Sequence, residues 1–126
     1  MRGPLAWPAV PAMVSRRQRF DELVLDCAAR LETRVGPRFG DVEFAVEDVP
    51  PTDPAPWEQE GAPLGRTLPA RKGQAARIVV YRRPIEARAH DQRELTALVQ
   101  EVVVEQVAAL LGIPPADLDP RYDDRD

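Results

Sequence analysis

Glu101 and Glu105 stand four residues apart in the longest helix that the sequence predicts, so their carboxylates share one side of it. Two such oxygen donors suit a hard divalent cation such as Mg or Ca, and Glu86 and His90 lie upstream as further donors. The plainer expectation is an acidic, hydrated helix edge. The same helix continues as Glu105-Gln106-Val107-Ala108-Ala109-Leu110-Leu111-Gly112. A small hydrolase that seats zinc on such a helix needs two histidines four apart, and this run has none. His90 is the chain's one histidine, at a helix start with no nucleophile in view, which predicts a hinge or surface position rather than a catalytic base. Cys27 is the one thiol, so an internal disulfide and a thiolate metal cluster are both ruled out. Asp117 and Asp119 add acids that spacing alone does not bring to these groups.

Positioning falls to a few elements. Ser15 and Gln18 have capping-box spacing, and Phe20, Leu23, Val24, Cys27, Leu31 and Val35 follow at helical period until Gly36-Pro37 ends the run. Val42, Phe44 and Val46 alternate with Glu43, Ala45 and Glu47, a short strand with one apolar face. From Val49 to Pro63 five prolines predict an irregular loop. Leu64 to Leu68 reads as a second strand, and Arg77 to Tyr81 as a third whose continuous Ile78-Val79-Val80 suits a central place. Pro84 can open a short helical turn through Ala89. Asp91, with Glu94 three residues on, marks the start of the long helix, and Gly112 with Pro114-Pro115 marks its end. Leu95, Leu98, Val99, Val102, Val103, Leu110 and Ile113 form its apolar arc, with Gln106 near the middle. An unpartnered amide buried there costs on the order of 1–3 kcal/mol, so Gln106 is expected to bond to a backbone segment or strand.

The order of these segments resembles the small bacterial zincin-like metallopeptidase domains, particularly their actinobacterial members. The likeness rests on Phe20-Asp21-Glu22-Leu23-Val24, Val46-Glu47-Asp48-Val49-Pro50, Leu64-Gly65, Arg77-Ile78-Val79-Val80-Tyr81, Arg83-Pro84-Ile85-Glu86 and Leu111-Gly112-Ile113. It spans roughly residues 15–119. The resemblance implies an α+β fold: a compact domain with an N-terminal helix, a small mixed sheet and a long C-terminal site helix. Catalytic members carry His-Glu-x-x-His there, with two zinc ligands and a glutamate base that activates water. Aligned through Leu111-Gly112-Ile113, Glu105 takes the first histidine position, Gln106 the base and Ala109 the second histidine. Ala109 has no donor atom, and the neutral Gln106 amide does not accept a proton from attacking water. A one-residue slip makes Glu105 the base but puts Val104 and Ala108 at the ligand positions, so it restores nothing.

With 126 residues and 44% hydrophobic side chains the chain suits one domain. We expect a loosely ordered arm at 1–14 rather than a secretory signal, the domain at 15–119 and an acidic, hydrated tail at 120–126. The formal charge of -4 gives no general attraction to nucleic acid, and no apolar run is long enough to span a membrane. Residues 71–90 nevertheless concentrate Arg71, Lys72, Arg77, Arg82, Arg83 and Arg88, expected as a solvated face. Glu47 and Asp48 at a strand end can orient a loop or meet a partner, and Trp57 can cover the core or anchor an interaction. The expected function is a non-catalytic scaffold or regulatory interaction protein of the cytoplasm, a pseudoenzyme with no cofactor and with a protein partner or a second copy as its target. The alternative is a divergent metal-dependent peptidase, and zinc belongs only to that reading.

Overall fold

Serine followed three residues later by glutamine sets the first helix. In the computed structural model, which describes residues 15–51, 63–120 and 122, Ser15 Oγ accepts from the Gln18 amide at 3.1 Å and the Gln18 side chain accepts from the Ser15 amide at 3.2 Å. Helix α1 runs Arg16–Val35 and stops at Gly36, whose φ of 74° favours glycine. A 3-10 turn, Gly36–Phe39, leads into strand β1, Val42–Glu47. Strands β2, Gly65–Leu68, and β3, Ala76–Tyr81, complete a sheet of order β1-β3-β2. β1 lies parallel to β3 with Phe44 opposite Ile78, and β2 lies antiparallel with Thr67 opposite Ile78. The central strand is buried at every residue except Arg77, as its continuous apolar run requires.

Helix α2, Arg82–Arg88, begins two residues before the expected Pro84 start. Proline fits inside the first turn because its missing N–H has no intrahelical acceptor there. The Arg83 amide donates to the Asp48 carbonyl at 3.0 Å, fastening α2 to the end of β1. Helix α3, Gln92–Leu111, has Asp91 as its N-cap and Gly112, φ 71°, as its C-cap. Asp91 Oδ1 accepts from the Glu94 amide at 2.9 Å. The Glu94 carboxylate does not close a box onto Asp91; it reaches one residue further, to the His90 amide at 2.7 Å. A last short helix, α4, spans Pro115–Leu118.

The core joins Phe20, Val24, Cys27 and Leu31 of α1 to Ile78 and Val80 of β3 and to Val99, Val102, Val103, Val104 and Val107 of α3. Val104, Val107 and Ala108 lie outside the arc read from the sequence yet are buried. Their burial follows from the position of α3, which packs against α1, α2, α4, β2 and β3 and so has little solvent face along its middle. The α+β architecture, with N-terminal helix, small mixed sheet and long C-terminal helix, is the one the sequence predicts. The arm at 1–14 and Trp57 lie outside the described residues.

Candidate functional site at the sheet-facing side of helix α3

Alternation along β2 turns Gly65 and Thr67 to one side and Arg66 and Leu68 to the other, and the first pair is the half-buried one. That side faces α3. A Cβ on Gly65 would stand 3.0 Å from Val102 Cγ1, 3.2 Å from Gln106 Cγ and 3.2 Å from the Val79 carbonyl oxygen. Glycine is therefore what lets β2 lie on the middle of the helix, and the approach brings Thr67 onto Gln106. The Thr67 hydroxyl donates to Gln106 Oε1 at 2.6 Å and also faces the Gln106 carbonyl oxygen at 3.1 Å. The glutamine singled out as an anomaly in an apolar arc is thus half-buried and bonded to a strand side chain.

Its neighbours on the helix are engaged or inert. Glu105 is half-buried and accepts from the Tyr122 hydroxyl. Tyr122 sits in the stretch expected as a hydrated tail, but it is half-buried and packs against the core. Ala109 is exposed and offers a methyl group. Glu101 is half-buried one turn before Glu105. The described residues include no group of three or more His, Cys, Asp or Glu side chains placed to hold a metal ion.

The other candidates separate into a structural cluster and a surface. Asp48 accepts from Arg82 Nε at 3.1 Å and lies 3.7 Å from Arg17, while Arg82 Nη1 donates to Glu86 at 2.9 Å. Burial alone pulls the Arg82 guanidinium down, but its bonds to Asp48 and Glu86 outweigh that and leave its pKa raised. This cluster ties β1, α1 and α2 together. Glu47 and Arg83 are exposed, Arg77 pairs with Glu43 at 3.5 Å, and Arg71, Lys72 and Arg88 are exposed. His90 is exposed with Nδ1 2.8 Å from Glu94 Oε1, while Glu86 is paired with Arg82; Glu86 and His90 line one open pocket together with Arg16, Arg19 and Asp91. Cys27 is buried, and that burial raises its thiol pKa.

Two contributors, Thr67 and Tyr122, escaped the reading of residue patterns, and a third, Asp119, was named there without a place. Thr67 could have been found from the Gly65, Thr67 alternation once β2 was placed against α3. Tyr122 and Asp119 carried no such signal: Asp119 is 4% exposed, with Gln100 Nε2 donating to its Oδ2 at 3.3 Å. Only the return of the chain across α3 buries them.

A sequence profile of the family described as "Zincin-like metallopeptidase" matches residues 39–124, well over half of the chain. None of the curated proteins matches it. Zinc, which such a family implies, does not fit the donors at Glu105, Gln106 and Ala109. Glu105 is the one ionisable side chain among Glu105, Gln106 and Ala109, its carboxylate is bonded to Tyr122, and Ala109 has nothing to coordinate with.

Proposed function

The chain belongs to the zincin-like metallopeptidase family, and from that premise we propose that it is a non-catalytic member, retained as a scaffold or regulatory interaction domain. The observation that supports this most is the bond from Thr67 to Gln106. If the resemblance is carried residue by residue, Gln106 stands where catalytic relatives keep their general base. There a neutral amide closes α3 onto β2 in place of a carboxylate that would take a proton from water. Glu105 and Ala109, at the two histidine positions, add one carboxylate held by Tyr122 and one methyl group. Loss of all three groups, in a helix whose packing is otherwise coherent, is what a domain kept for its surface would show. A protein partner or a second copy is the target class for this reading, and the cytoplasm is its proposed compartment.

The test is metal content and cleavage on the same folded preparation. Protein purified without added metal is expected to contain far less than one zinc per chain by elemental analysis. A broad peptide library is expected to remain uncut with zinc, magnesium or calcium supplied. One tightly bound zinc per chain, or cleavage that follows metal, would overturn the proposal in favour of a divergent peptidase.

A further inference from the structure

An open cleft of about 320 Å³ separates the first turn of α1 from the junction of α2 and α3. That volume falls at the lower end of the roughly 300–1,000 Å³ of small-ligand pockets. Its two walls differ in charge. Arg16 and Arg19, three residues apart and so on one face of α1, line one wall. Glu86 and Asp91 bring carboxylates to the other, and the half-buried Ala89 and Leu95 add apolar lining. Opposite charges facing across a cleft attract, yet among the described residues no ion pair spans this one. Glu86 Oε1 instead accepts from Arg82 on its own helix at 2.9 Å, and Asp91 Oδ1 accepts from the Glu94 amide at 2.9 Å. The second oxygen of each carboxylate lies outside these bonds. Neither arginine side chain has an ion pair or hydrogen bond among the described residues.

We propose that this cleft binds a small zwitterion, an α-amino acid with an apolar side chain. Its carboxylate meets the guanidinium groups of Arg16 and Arg19, a pairing whose planar geometry suits two parallel bonds. Its ammonium meets the remaining oxygens of Asp91 and Glu86, and its side chain lies against Leu95 and Ala89. The charge of the lining selects this class. A simple anion would satisfy the arginines but face both carboxylates, and a simple cation would do the reverse. A ligand that carries both signs meets all four groups favourably and leaves none of them desolvated without a counter-charge. The exposed His90 also borders the cleft, but its Nδ1 is engaged by Glu94, so it is given no part in binding. Leu95 and Glu105 are ten residues apart on α3, about 15 Å along its axis. The inference therefore stands whether or not that helix is catalytic.

Titration of the full chain with L-leucine, followed by amide chemical shifts in nuclear magnetic resonance, tests it. Saturable shifts are expected at amides 16–19 and 89–95, with a Kd on the order of 1 mM or tighter. Shifts that never saturate, or that centre on other residues, would overturn the proposal. Two analogues separate the charges: N-acetyl-leucine lacks the ammonium and leucinamide lacks the carboxylate. Each is expected to bind about tenfold or more weakly than leucine. An analogue that binds as tightly as leucine would refute the zwitterion in favour of a site for one charge alone. Joint Arg16→Gln and Arg19→Gln changes two exposed side chains, so the fold should survive as judged by circular dichroism, while leucine binding falls by about tenfold. Asp91→Asn removes a charge and keeps the helix cap, because asparagine caps as well as aspartate. It is expected to weaken leucine by about threefold or more and to leave N-acetyl-leucine unchanged. Leucine affinity indifferent to either set of substitutions would place the ligand elsewhere and overturn the assignment.

Discussion

Replacing Thr67 by valine removes one hydroxyl and keeps the shape of the side chain, which isolates the bond that closes β2 onto α3. The hydroxyl's one proton goes to the nearer acceptor, Gln106 Oε1 at 2.6 Å, with the Gln106 carbonyl oxygen at 3.1 Å. The carbonyl lies within α3 and keeps its helical partner, so the loss falls on Oε1. A fully buried acceptor stripped of its donor costs about 1–3 kcal/mol, but Gln106 is half-buried and water replaces part of the bond. Thr67→Val should therefore destabilise the fold by about 1 kcal/mol, or roughly 3–6 °C in Tm. Urea unfolding followed by far-ultraviolet circular dichroism measures it. Gln106→Met supplies the second arm of a double-mutant cycle, because a thioether chain fills the same space without the amide. We expect a coupling of about 0.5–1 kcal/mol between the two sites. A cycle additive to within about 0.3 kcal/mol would show that the contact has no net worth, and the account of Gln106 as a tether would fail.

Two further outcomes follow from the same geometry. Gly65→Ala should cost about 1–3 kcal/mol, since the new methyl meets Val102 Cγ1 at 3.0 Å and the Val79 carbonyl at 3.2 Å. Adding Val102→Ala relieves only the first of these, so chemical denaturation that shows full rescue by the double variant would contradict the close approach of β2. Bonds from the His90 amide and ring hold the Glu94 carboxyl below its ordinary value of 4.5. A folded pKa below the unfolded one means that the linked stabilisation is present above about pH 4.5 and is lost as pH falls through the lower folded value. Titration of the Glu94 side-chain carbon by nuclear magnetic resonance should give a midpoint under 4.5, and a midpoint at or above it would refute the capping geometry.

Much of the architecture is written in local pattern. Ser15 and Gln18 determine where α1 starts, Gly112 where α3 stops, and Ile78-Val79-Val80 that β3 is central, because capping, left-handed backbone and two-sided burial are properties of short stretches. The absence of histidine from the helix that carries Glu105, Gln106 and Ala109 is likewise a matter of residue identity. Tertiary structure decided which side chains meet Glu105 and Gln106. Thr67 is 39 residues from Gln106, and Tyr122 is 17 from Glu105, separations at which no periodicity speaks. Val104 and Ala108 became core because α3 is enclosed by neighbours on several sides, which a single helical arc does not express. Residue types settled that this helix carries no histidine, and the approach of β2, made possible by Gly65, settled that Thr67 meets Gln106.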